Sequence, residues 1–139
     1  MGDRSNIVMN YGNDREVWFY THWRGSECPL LLKEALKLAQ QERRLDDDGY
    51  LSRIIFGTLS KNAYSPTTGF GITPFKTDWE YPALVVQIEA QEIELRQLTH
   101  RDSERDTQIG RRISVAEYLT LPDDCDYDAV RALVAKEAA

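Results

Sequence analysis

The chain is poor in the residues that advertise a chemistry. Among its 139 residues only two are cysteine and two histidine. Cys28 and Cys125 stand far apart without a CxxC spacing, which excludes a zinc site or a disulfide framework built on them. Free, reduced thiols are expected. There is no GxSxG elbow for a nucleophilic serine. No glycine-rich loop runs into Lys-Ser or Lys-Thr to cradle a phosphate. No apolar run approaches membrane-spanning length. The opening Met1-Gly2-Asp3-Arg4-Ser5-Asn6 has no apolar signal region, and Asn6 stands where an acylation pattern needs Ser or Thr. A cytoplasmic protein without membrane attachment is expected. Basic excess is lacking too: 17 Lys and Arg face 23 Asp and Glu, for a net charge of −6. Broad nucleic-acid binding needs a basic face that displaces counterions, so that class is excluded.

What is present is ordinary for a folded domain. Hydrophobic residues make up 42% and charged residues 29%. A chain of this size buries roughly 68% of its unfolded surface, enough for a core. Residues 1–139 read as a single domain.

Asn6 to Tyr11 alternates as a strand, with Ile7, Met9 and Tyr11 on one face. Gly12-Asn13-Asp14 is turn chemistry, and Glu16 to His22 returns as a second strand. Val17, Phe19 and Thr21 point one way; Trp18, Tyr20 and His22 point the other. Ser26 is the expected cap of a helix that runs to about Arg43, with Leu32, Ala35, Leu36 and Ala39 as its stripe. Asp48 is the expected cap of a second helix bearing Leu51, Ile54, Ile55 and Leu59, which Phe56 widens into a well-buried face. Asn62 to Gly71 is a loop. Phe70 to Phe75 reads as a strand whose Pro74 places it near an edge. Ala83 to Glu89 and Glu92 to Leu98 read as a strand pair. Residues 99–112 are densely charged and read as a mobile, solvated connection. Ser114 and Glu117 match a capping box, and Asp126 caps a last helix to about Lys136.

The order ββααβββαα groups strands with strands and helices with helices. That specifies an α+β fold: a mostly antiparallel sheet of about five strands with helices on one face. The other face carries Trp18, Tyr20 and His22, and a partner covering it would make a homodimer.

The corner Trp18 to Glu27 is the expected site. It passes from strand to helix and gathers His22, Trp23 and Arg24, where indole stacking and a guanidinium fork suit a planar or anionic ligand. The bland alternative places Trp23 in the core and Arg24 in solvent. Arg53 is the one charge inside the run Leu51 to Phe56; it either enters a pocket near Tyr50 or pairs at the surface with Asp47 or Glu27. Asp78-Trp79-Glu80 brackets an aromatic with carboxylates and reads as a recognition loop. Acid–base work there would need burial to split the carboxyl pKa values. Asp46-Asp47-Asp48-Gly49 is not a calcium loop, because counting from its glycine puts Arg44 and Ile55 at the first and last ligand positions. Cys28, at a helix start, could pair with His22 as a nucleophile only if it ionises there.

Several stretches share a look. They are Met1-Gly2-Asp3-Arg4-Ser5-Asn6-Ile7-Val8, Tyr20 to Glu27, Tyr50 to Phe56, Thr68 to Ile72 and Ser114 to Tyr118. Together they resemble a group of small proteins of bacteria and their phages. The group carries no established activity, and no functional residue is taken from it. The resemblance implies a phage or mobile-element accessory that blocks a host defence component or sequesters a nucleotide-like signal.

The expected function is a non-enzymatic binding protein without cofactor or metal. Its partner would be a host protein or an anionic small molecule, bound at His22, Trp23, Arg24, Arg53, Asp78 and Trp79. The alternative is a hydrolase or transferase on a nucleotide-like substrate that uses His22 or Asp78 as its acid–base group. Both expectations require these side chains to meet in one hollow.

Overall fold

Alternation places Ser5–Asn10 (β1) against Glu16–Thr21 (β2) as an antiparallel hairpin. Gly12, Asn13 and Asp14 between them have φ of 97°, 52° and 59°, a region that glycine occupies freely and Asn and Asp tolerate. The computed structural model describes residues 2–62, 67–101 and 104–137. Residues 63–66 of the loop read over 62–71 therefore lie outside the described residues, as do 102 and 103 of the charged connection.

After a 3-10 turn over Gly25–Glu27 comes Cys28–Gln41 (α1). Ser26 does not cap it. Glu27 holds the cap position without a side-chain bond, while the Ser26 N–H and hydroxyl donate to the Asp3 carboxylate at 3.0 and 2.6 Å. A residue ahead of the first strand thus anchors the helix entrance. Asp48–Leu59 (α2) is capped one residue earlier than expected, by Asp47, which accepts from the Tyr50 N–H at 3.0 Å.

The remaining elements are Phe70–Thr73 (β3), Ala83–Gln87 (β4), Glu92–Gln97 (β5), Thr107–Ser114 (β6), Val115–Tyr118 (α3) and Tyr127–Ala135 (α4). The capping box of Ser114 and Glu117 and the Asp126 cap form as expected. The fold is α+β, with six strands rather than about five, in the order β3-β2-β1-β4-β5-β6. Only β1 and β4 run parallel; the other neighbours are antiparallel.

The sixth strand corrects the reading of 99–112 as a connection throughout. In β6, Ile109 and Ile113 face the core while Gln108 and Arg112 face out. Arg111 holds the position between those isoleucines, and Gly110, at φ +64°, lies where the register with β5 shifts across Ile93/Leu95. A guanidinium at that position hides the apolar alternation by which a strand is recognised in sequence.

All four helices pack on one face. Ile7, Met9, Phe19, Leu84, Val86 and Leu95 of the sheet meet Leu32, Leu36, Leu51, Ile55, Tyr118 and Val130. The other face has a smaller apolar set of Val8, Trp18, Ala83, Val85 and Leu98, with Trp79 packed on it. A second copy is not needed to cover these residues, because the chain's own segments lie across them. Asn6 Nδ2 donates to the carbonyls of Thr77 and Asp78 at 3.4 and 3.2 Å. Lys76 Nζ donates to the Thr99 carbonyl at 2.7 Å. Among the described residues no helix is long and apolar enough to cross a membrane.

Candidate functional site

The six expected residues do not meet in one hollow. His22 and Trp23 do touch, edge to face, with ring centres 5.5 Å apart. Trp23 is 52% exposed, so it is not a core plug. Its ring covers Gly69 so closely that a Cβ there would overlap it. His22 Nδ1 and the Tyr20 hydroxyl share a 2.8 Å hydrogen bond. Burial raises the Tyr20 pKa against the opposing influence of Arg4. Arg4 in turn lies 3.6 Å from Asp78 and 3.3 Å from Glu80. His22 and Asp78 are therefore linked through Tyr20 and Arg4.

Arg24 turns away from this group. Its Nη1 donates to the carbonyls of Leu59 and Lys61 at 3.3 and 3.0 Å, and its Nε to Glu27 at 3.2 Å. Leu59 is the last residue of α2 and Lys61 follows its C-cap, so Arg24 caps a helix end. Trp79 sits on the helix-free face over the Val8 and Trp18 set, stacked on His100 at 4.1 Å with Lys76 Nζ 5.3 Å above its ring.

The helix start does not activate Cys28. The thiol is fully buried and donates to the Arg24 carbonyl at 3.6 Å. Burial pushes its pKa up to about 12, which removes the thiolate that a nucleophile needs. Cys125 is buried and raised by the same cause. Among the described residues no group of three or more His, Cys, Asp or Glu side chains is placed to hold a metal.

Beside Trp18 the open sheet face carries a charged network that sequence reading missed. Arg96 meets Glu16 through both terminal nitrogens, at 3.1 and 3.0 Å, and Glu94 through Nε at 2.9 Å. Glu94, nearly sealed from solvent, also accepts from the Gln87 amide at 3.1 Å and forms an ion pair with Arg112 at 3.1 Å. Burial lowers the Arg96 pKa, but the bonds from Glu16 and Glu94 outweigh it and leave the pKa raised. Next to the network is an open hollow of about 640 Å³. Five carboxylates line it (Asp14, Glu16, Glu94, Glu104, Asp106) against four cations (Lys76, Arg96, Arg101, Arg105). Carboxylates outnumber cations there by one, so the hollow does not select an anion.

Arg53 lies elsewhere again, on the outer ridge of α2. It pairs with neither Asp47 nor Glu27 and makes no hydrogen bond or ion pair among the described residues; those acids hold Arg44 and Arg24 instead. On one side of the ridge a groove of about 470 Å³ opens between α1 and α2, with Leu38, Tyr50 and Ile54 on its walls and Glu34 and Lys61 at its rim. On the other side a hollow of about 360 Å³ is walled by Phe19, Phe56 and Ile72. Gly57 continues the ridge, and a Cβ there would meet nothing within 4 Å. Ile54 and Phe56 are only half-buried, so α2 is not the well-buried helix expected. The sequence held two signals for this groove. Leu38 falls off the stripe Leu32, Ala35, Leu36, Ala39, and Tyr50, Ile54 and Gly57 repeat at helical spacing.

No family model matches the chain, and no curated protein and no solved structure is significantly similar to it.

Proposed function

We propose that this chain is a non-enzymatic binding protein whose partner is another protein, docked in the groove between α1 and α2. One observation carries the reading: apolar side chains line an open groove whose rim holds a guanidinium, Arg53, with no acceptor among the described residues. Leu38 and Tyr50 are exposed there. Apolar walls with a free cation at the rim fit a protein surface that supplies aliphatic or aromatic anchors and a carboxylate.

The other expected partner, an anionic small molecule, gains nothing from the polar hollow, where carboxylates outnumber cations. The hydrolase or transferase alternative rests on His22 and Asp78. Tyr20 holds His22 Nδ1, and Arg4 lies beside an exposed Asp78. The resemblance to proteins of bacteria and their phages makes a host defence component the partner to try first.

The test is capture of host proteins by the wild-type chain and by Leu38→Glu, with folding matched by circular dichroism. A partner held by wild type and lost by the variant supports the groove. Capture that is indifferent to Leu38→Glu, or nucleotide turnover that disappears in His22→Ala, overturns it.

A further inference from the structure

The two edges of the sheet are built differently. At one edge, β6 carries Arg111 and Arg112 and the bulge at Gly110, where α4 packs so tightly that a Cβ would strike the Val134 carbonyl. Charges and bulges are two of the devices that stop a sheet edge from pairing with another chain; a very short strand and a proline are others, and β3 has four residues and ends at Pro74. The opposite edge, β3, has no charge and no bulge along its four residues. Phe70-Gly71-Ile72-Thr73-Pro74-Phe75 contains no charged residue. Ile72 is 61% and Phe75 73% exposed. Ile72 also forms a wall of the apolar hollow next to α2.

We infer that β3 is a self-association surface, on which two copies of this chain pair their β3 strands antiparallel across a two-fold axis perpendicular to the sheet. The inference goes beyond the groove reading and does not need it. The occupant is argued from self-complementarity, which a two-fold interface requires.

The first part of the match is backbone. An edge strand presents N–H and C=O groups on its free side, and antiparallel pairing with its own copy satisfies both sets in one register. The axis keeps the helices of both copies on the same side of a continued sheet.

The second part is charge. Thr21 pairs with Phe70, and Arg24, three residues on, holds the end of α2. Trp18 pairs with Thr73 at the other end of the strand. There Ser52, near the start of α2, bonds the Tyr11 hydroxyl at 2.6 Å beside the β1–β2 turn. So α2 runs antiparallel to β3, and the two-fold sets α2 antiparallel to its copy. Asp46 and Asp48, exposed at its start, then lie beside Lys61 of the other copy. None of these three side chains has a partner among the described residues. The arrangement also sets acidic groups at the positive end of each helix and a lysine at the negative end.

The third part is shape. Gly57 leaves open space on the α2 ridge at the level of Phe56 and Ile72. A helix glycine costs about 1 kcal/mol relative to alanine, and no crowding within the chain explains it. A second α2 can approach the backbone there.

The experiment is sedimentation velocity over a concentration series, with Ile72→Lys and Phe75→Lys as variants and circular dichroism as the folding control. Wild type should move from monomer to dimer mass as concentration rises, and the dissociation constant should rise at least about tenfold in each variant. Ile72→Cys should give a covalent dimer on mild oxidation, while Gln40→Cys on exposed α1 surface should not; the native thiols are buried. A wild type that stays monomeric, a dimer untouched by Ile72→Lys, or equal cross-linking of both cysteine variants overturns the inference. Loss of a captured host protein in Ile72→Lys with a monomeric wild type also overturns it, by giving the edge to a foreign strand. Leu38→Glu should remain dimeric, so failure of the groove reading and failure of this one are told apart.

Discussion

Arg96 grips Glu16 with both terminal guanidinium nitrogens, at 3.1 and 3.0 Å, across the sheet from β5 to the start of β2. The two residues are 80 positions apart in sequence. The pair joins Asn10, whose amide donates to Glu16 at 2.9 Å, and Glu94 beneath Arg96. It fastens the hairpin to the far half of the sheet on the face that has no helices.

Arg96→Ala should therefore destabilise the protein by about 3 kcal/mol, because it strips the main counter-charge from a buried Glu94. Adding Glu94→Gln to Arg96→Ala should recover part of that loss. Chemical denaturation midpoints of the single and double variants measure it. A single variant within about 0.5 kcal/mol of wild type would mean that Arg112 and Gln87 satisfy Glu94 alone.

Arg24 acts on folding rather than on a ligand. Arg24→Ala frees two carbonyl acceptors at the end of α2 and should cost about 1–2 kcal/mol. Hydrogen exchange should quicken first at the last turn of that helix, since the lost bonds are to Leu59 and Lys61. Binding to a groove partner should persist in the folded fraction.

Lys33 and Asp123 set an acid limb of the stability curve. Lys33, buried on α1, donates to the Leu121 carbonyl and to Asp123 Oδ1 at 2.5 and 2.7 Å. The Lys33 hydrogen bond holds the Asp123 carboxyl below its usual range. The Arg111 hydrogen bond does the same for Glu117. A carboxyl with a lowered folded pKa binds its proton more weakly in the folded state than in the unfolded chain. Its stabilisation is complete above the unfolded value, about 3.9 for aspartate, and is lost as pH falls through the folded one. Asp123→Asn should flatten the decline in melting temperature below about pH 4, and Asp123→Asn with Glu117→Gln should flatten it further. A decline as steep as wild type in the double variant would assign that limb to other carboxyls.

Both thiols should resist alkylation in the native protein. Cys28 combines full burial with a pKa near 12, so iodoacetamide at mildly alkaline pH should add nothing to it until the chain unfolds. Mass spectrometry of native and denatured samples reads this directly. Rapid native labelling of Cys28 would show that α1 opens at its start, near the Asp3 anchor.

The hairpin, both long helices and their stripes were legible in sequence because their signals are local. Ile7, Met9 and Phe19 alternate, Leu32, Ala35, Leu36 and Ala39 recur at helical spacing, and a capping box fits within four residues. Caps slipped where a distant group took the part: Asp3 displaced Ser26 as the anchor of the α1 entrance. The site was less legible. His22, Trp23 and Arg24 are consecutive in sequence, yet Arg24 turns to the end of α2 while His22 bonds Tyr20. Adjacent residues on an irregular turn have no common direction, and no local rule supplies one.

The sequence by itself determined the class of fold and the polarity of its faces, since burial periodicity is written along each segment. Only the tertiary structure decided that Arg96, Glu94 and Glu16 form one network, that Arg53 stands on an open ridge, and that β6 and β3 are the two edges of the sheet, charged and bulged at one and uncharged at the other. Those facts depend on which strands become neighbours, and that is settled by long-range pairing rather than by any stretch of residues read alone.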